Sequence, residues 1–385
     1  MRRKVTRLSF VFAAIAVCSA VSVSSAEAQT TPRSAVPAKK PAASTGPKWD
    51  LEIFGGAAAP NHPASGTSAL PPAGAAFTST SGFQSRAESS WYFGDGTTLL
   101  GQAATVASGI GLTFPRMTSL DPILQSASAT HKRAAAFGGR LHRRLNDRYG
   151  LEFTVASMST GLRLTDAVAP AVESSRASFI PFWNAVIASG PFTSPSVTSV
   201  STIDQGSTRR ILATGALTIN LMKAGRTAPY IVAGAGAIHD TGVRPSATIV
   251  GNYKFNIATS GISIAPGPIN DTDTVKMHYE TSGGFAMVIG AGVKRQIASR
   301  LAVHVDVRDM FGPNRTTTLV DATPSVAIGA PQAYIASNGS PSLQFSSSAA
   351  VRPGLGGAPV KDFKTFSGSG LQHVVNITGG LSIGF

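Results

Sequence analysis

His304 and Asp306, two positions apart in "LAVHVDVRD", are the pair in this chain best suited to chemistry. A histidine beside a carboxylate, with a serine in reach, is the arrangement that activates an oxygen nucleophile. Five more ionisable residues sit in similarly apolar runs: Glu52, Arg140, Glu152, Arg210 and Arg308. With His304 neutral, the seven comprise three acids and three arginines. Near-balanced charge among apolar neighbours also describes an enclosed ionic network, because charge removed from water must be paired. Both readings require these side chains to share one face of their elements.

The remaining motifs are weaker. Asp271 and Asp273 in "NDTDT" have the spacing of a calcium loop, but its glycine and distal ligands are missing, so the stretch reads as a solvated acidic loop. "GAGAIH" and "GAGVKR" lack the third glycine of a dinucleotide fingerprint and lie inside strand patterns, which points to close strand packing. The one cysteine, Cys18, falls in a segment expected to be removed, leaving no disulfide or thiolate metal site. No cofactor is expected.

The elements that must position the seven residues alternate with period two, the mark of a strand with one apolar and one polar face. In "WDLEIFGGAAA", Trp49, Leu51, Ile53, Gly55 and Ala57 oppose Asp50, Glu52 and Phe54. Three hairpins follow the same plan. In "AAAFGGRLHRRLNDRYGLEFTVASM", Arg140 and Glu152 oppose Phe137, Leu141, Leu151 and Phe153 across an Asn146-Asp147 turn. The second hairpin, "RRILATGALTINLMKAGRTAPYIVAGAGAIH", sets Arg210 against Ile211, Leu217 and Ile219. The third, "GGFAMVIGAGVKRQIASRLAVHVDVRDMF", sets His304, Asp306 and Arg308 against Val303, Val305 and Val307. The chain closes on "VVNITGGLSIGF", whose Val375, Ile377, Leu381, Ile383 and Phe385 form one more apolar stripe.

These make eight strands. Short turns alternate with four long segments, roughly 70, 50, 45 and 60 residues, rich in Ser, Thr, Gly, Pro and Ala. A membrane gives backbone N–H and C=O groups no partners, so a sheet within it must close on itself, and strands of about 9–11 residues suffice to cross. Even strand number with short turns at one end and long loops at the other is the outer-membrane pattern. The expected fold is all-β: an eight-stranded antiparallel up-and-down transmembrane β-barrel with long extracellular loops, spanning residues 49–385. Ten strands would result if 247–265 formed a further membrane hairpin; that stretch is expected instead to prolong the third loop outward. Trp49, Tyr149, Tyr230, Phe285, Phe311 and Phe385 near strand ends are expected to form girdles.

Residues 1–28 read as a secretory signal peptide, with a basic start, an apolar run from Leu8 to Val17 and a small-residue exit at Ala26-Glu27-Ala28. Residues 29–48 are Pro/Ala/Lys-rich and read as a disordered periplasmic linker. The formal charge of +14 falls to +11 without the leader, which carries four basic residues and one acidic. In an exported chain such a balance suits anionic envelope lipid and lipopolysaccharide, whereas scattered cations without interleaved aromatics argue against nucleic acid.

"AFGGRLHRRLNDRYGLEF", "APYIVAGAGA", "GAGVKRQIASRLAVHVDVRD" and the terminal "LSIGF" together resemble the OmpA/opacity-type family of small outer-membrane β-barrel proteins. The resemblance implies the outer membrane of a Gram-negative-type bacterium. It also implies that Val375, Ile377, Leu381, Ile383 and Phe385 serve as the C-terminal signal read by the barrel-assembly machinery, and it implies no catalytic residues. The expected role is non-enzymatic, envelope structure and surface contact through the loops, with a surface ligand left open. The alternatives are a narrow porin or solute channel and a lipid A-modifying enzyme. The enzyme would need His304 near the outer rim, whereas its position places it close to a short turn.

Overall fold

The computed structural model describes residues 48–61, 65–72, 76–78, 84–109, 111–159, 161–189, 192–222, 225–257, 267–281, 283–313, 316–323, 326–329, 342–345 and 360–385. The expected signal peptide, and all of the linker but Lys48, lie outside these residues.

Eight strands close into a barrel: β1 (Trp49–Pro60), β6 (Ala134–Arg144), β7 (Tyr149–Met158), β10 (Ser207–Asn220), β11 (Thr227–Val243), β14 (Gly284–Gln296), β15 (Leu301–Pro313) and β20 (Leu371–Gly384). Each pairs antiparallel with the next, and β20 returns to β1 with Leu51 opposite Ile383 and Glu52 opposite Ser382. The ends are tied by Phe385 N–H to Trp49 O (2.9 Å) and Trp49 N–H to Phe385 O (3.3 Å). At the same end, the Asn146 carboxamide accepts from the amides of Arg148 (2.9 Å) and Tyr149 (2.8 Å), an Asx turn that closes the first hairpin as its residues foretell.

The two faces sort as the alternation demands. Leu51, Ile53, Phe137, Phe153, Ile289, Val305 and Ile377 point outward with 52–73% of their surface exposed, while Glu52, Arg140, Glu152, His304 and Asp306 are buried inside. One aromatic departs from the expected girdle. Tyr230 is buried and its hydroxyl donates to Asp306 Oδ2 (3.0 Å), because its position in β11 falls on the inward parity.

The long segments are not simple loops. A second, six-stranded sheet runs in the order β2 (Ser65–Ser68), β19 (Val360–Ser369), β16 (Thr316–Thr323), β13 (Gly267–Thr281), β12 (Ser246–Ile257), β9 (Phe192–Asp204). Each of these strands adjoins a barrel strand in sequence across a short break, and the order matches β1-β20-β15-β14-β11-β10 of the barrel. Six of the eight wall strands are thus carried on into this one sheet. Two breaks hold a glycine in the left-handed region, Gly206 (φ 66°) and Gly370 (φ 114°), and Gly242 (φ 99°) adopts it near the end of β11, a conformation L side chains rarely adopt. The third long segment supplies β12 and β13 to this sheet, so the barrel keeps eight strands.

β6 and β7 are continued only by the short strands β5 (Ala129–His131) and β8 (Leu162–Leu164), which pair with each other in a sheet of their own. The chain beside them forms helices α1 (Gly94–Gly109), α2 (Asp121–Leu124) and α3 (Val168–Ala188). A four-stranded sheet of β3 (Ala76–Thr78), β4 (Gln84–Glu88), β17 (Val326–Gly329) and β18 (Ser342–Phe345) completes the described strands. Val168, Val172, Phe179, Trp183 and Ile187 bury one stripe of α3 at helical spacing. With Trp91, Tyr92, Tyr253 and Phe255 they build an aromatic core in which Trp183 stacks on Tyr253 at 4.3 Å and 9°.

Asp271 and Asp273 belong to that core rather than to a solvated acidic loop. Both are buried, and Asp273 accepts from Ser90 Oγ (2.9 Å) and the Trp91 amide (2.6 Å). They lie in β13 on the parity that faces the core, and the same parity carries Val275, Met277 and Tyr279.

Candidate functional site

The barrel interior brings together six of the seven ionisable residues. Arg140 on β6 lies opposite Glu52 on β1 and donates to Glu52 Oε1 (2.8 Å) and Asp306 Oδ2 (2.6 Å) through Nη1, and to Thr378 Oγ1 (3.0 Å) through Nη2. Its guanidinium also rests 4.1 Å above the Phe54 ring. Arg308 forks onto Glu152, donating to Oε2 at 3.0 Å and also to Oε1, and reaches Asp306 Oδ2 at 3.1 Å. Asp306 is therefore the hub. It takes hydrogen bonds from both arginines, from Thr378 (2.7 Å) and from Tyr230 (3.0 Å).

His304 fills the remaining corner, with Nδ1 3.1 Å from Glu52 Oε2 and Nε2 3.0 Å from Arg140 Nη1. Threonines finish the carboxylates, as where Thr154 donates to Glu152 (2.8 Å). These bonds make an enclosed ionic cluster tolerable, since an ion stripped of water needs partners for its lone pairs and protons, although Arg140 Nε and Arg308 Nε make no hydrogen bond among the described residues.

Arg210 is not a member. It lies toward the long-loop end, where Nε donates to Asp240 Oδ1 (2.9 Å), Nη1 donates to Gln372 (3.3 Å), and Nη2 sits 2.7 Å from His131 Nε2. The even count expected from sequence fails for this reason: three carboxylates face two guanidiniums and His304, and Arg210 has its own carboxylate across the strand pair, Asp240. Sequence reasoning missed Asp240, Tyr230 and Thr378. The signal was available, since all three share the inward parity of their strands.

Two cavities flank the cluster. One of about 180 Å³ opens at the short-turn end, lined by Asp50, His142, Arg144, Lys294 and Arg300, with Lys294 donating to Asp50 (2.8 Å). The other, about 30 Å³, lies beside His131, Arg210 and Gln372. Between them stand Phe54 and the paired charges.

The outward stripe of β20 places Val375, Ile377, Leu381 and Ile383 on the barrel's outer face, and Phe385 follows just past the strand's end, all 40–64% exposed. A soluble domain does not leave such a belt in water. A closed antiparallel barrel with an apolar belt outside and a polar, side-chain-filled interior defines a membrane-spanning barrel of the outer-membrane type.

No family model and no curated protein matches the chain. Among solved structures, it is similar to the outer membrane protein OprG from Pseudomonas aeruginosa at 12% identity and a TM-score of 0.35, over 88% of this chain and 98% of that one. The outer membrane protease OmpT from Escherichia coli gives 8% identity and 0.29, over 89% and 98%. A major outer membrane protein from Thermus thermophilus gives 10% and 0.26, over 67% and 96%. Likeness this distant carries no residue roles across, and the class rests on the chain's own closed, belted barrel.

Proposed function

We propose that this is a non-enzymatic protein of the cell outer membrane whose barrel anchors a folded outer domain for envelope structure and surface contact. The observation that carries the reading is the closed ionic network of Glu52, Arg140, Glu152, His304, Asp306 and Arg308. It occupies the interior between the two end cavities, where a solute path would have to run. An eight-stranded barrel encloses only enough space for side chains, so a paired network there acts as a plug.

His304 supports the same reading against a lipid A-modifying enzyme. Both its ring nitrogens face ionic partners deep inside the wall, away from any lipid-facing groove. The lipid belt and basic balance suit lipopolysaccharide and phospholipid as surroundings, and the exposed stripe ending in Phe385 suits a strand read by the barrel-assembly machinery.

Reconstitution into planar bilayers tests the proposal. The expected result is no stable unitary conductance. Regular steps would make the narrow-channel reading correct, and loss of acyl chains from lipid A in the protein's presence would make the enzyme reading correct.

A further inference from the structure

On the second sheet, on the face away from the aromatic core, three strands bring donor atoms together. His278 of β13, Asp321 of β16 and Asp362 of β19 each offer one ligand atom, and these lie within 4.8 Å of one another. His278 Nε2 stands 3.0 Å from Asp362 Oδ1, and its Nδ1 stands 3.6 Å from Asp321 Oδ2. The side chains are 21%, 32% and 62% exposed respectively, so the group is half-sheltered and open to solvent on one side.

Their meeting is not a by-product of regular pairing. The β16–β19 register shifts between Val320 and Ala322, and the irregularity swings Asp362 toward His278 with φ at 49°, in a region non-glycine residues seldom occupy. The Asp362 amide donates to Asp321 Oδ1 (2.7 Å), which orients that carboxylate and leaves Oδ2 toward the histidine. His278 Nδ1 is buried and has no hydrogen-bond partner among the described residues. At 3.6 Å its separation from Asp321 Oδ2 is too long for a hydrogen bond, yet it suits two donors sharing one ion at about 2.0–2.2 Å from each.

We propose that His278, Asp321 and Asp362 form a binding site for a divalent transition-metal ion of the zinc class. One imidazole and two carboxylates match such an ion, with water completing the shell, whereas calcium seeks six to eight oxygens. Bound there, the ion pins three strands of the outer sheet together. It competes with the cations nearby: Lys276 lies opposite Asp321, Lys361 adjoins Asp362, and Lys364 lies opposite Leu319. Glu280, next along the face, is already paired to Arg244 (3.1 Å).

The test uses the full chain without a histidine tag, folded in detergent, titrated calorimetrically with Zn²⁺ and followed with Co²⁺ by visible absorption. Saturable one-to-one binding is expected. His278→Ala and Asp321→Asn each weaken it by about tenfold or more, and His373→Ala, at the separate His373–Asp309 pair (2.8 Å), leaves it unchanged. Heat-modifiable migration shows that each variant's barrel is folded. Absence of saturable Zn²⁺ binding, retention of full affinity in folded His278→Ala, or equal affinity for Ca²⁺ overturns the proposal.

Discussion

At the scale of single residues, Asp306 and Asp273 are buried carboxylates under opposite regimes. Asp306 is surrounded by two guanidiniums, a tyrosine and a threonine, so its charge is fully answered. Removing one donor costs more than the pair contributed, because the ion left behind keeps its desolvation penalty. Arg140→Met is therefore expected to destabilise the barrel by about 3–5 kcal/mol, measured by denaturant unfolding in detergent or lipid. Asp273 is held by neutral donors, the Ser90 hydroxyl and the Trp91 amide, and burial pushes its carboxyl up to about 7. The folded form then holds its proton to higher pH than the unfolded chain does, so the outer domain loses stability as pH rises from about 4 to about 7 and changes little above. Asp273→Asn, which keeps an acceptor for Trp91 without the ionisation, should flatten that dependence in a thermal-unfolding series.

At the scale of elements, the inward glycines of "GAGA" explain how β11 fits. A Cβ built on Gly236 would lie 2.0 Å from Ala213 O, and one on Gly234 would lie 2.3 Å from Gly215 O, both backbone atoms that cannot step aside. Gly236→Val should block closure and leave the protein migrating as unfolded on an unboiled gel, while Ala235→Val, on the opposite parity, should not. The strand plan was legible because a half-buried strand writes its faces directly into alternating residues. Helix α3 was legible in principle, since Val168, Val172, Phe179, Trp183 and Ile187 recur at helical spacing. Pro181 and the surrounding Ser/Ala composition hid it among residues that read as loop.

At the scale of the whole molecule, the barrel wall and the outer sheet share one strand order, interrupted by short breaks rather than by free loops. Much of what reads as loop from composition is thereby a second layer with its own core. The absence of conductance expected above belongs to this scale too, since it depends on the plug formed jointly by β1, β6, β7 and β15 and on no single residue. Alternation, turn chemistry and loop asymmetry by themselves determined the closed eight-stranded barrel, because these are local patterns that the hydrocarbon boundary turns into a global constraint. Which charges met was decided only in three dimensions. Arg140 reaches Asp306 across 166 positions and Arg210 turns instead to Asp240, because partners inside a barrel are set by strand register and stagger, which no single strand's sequence contains.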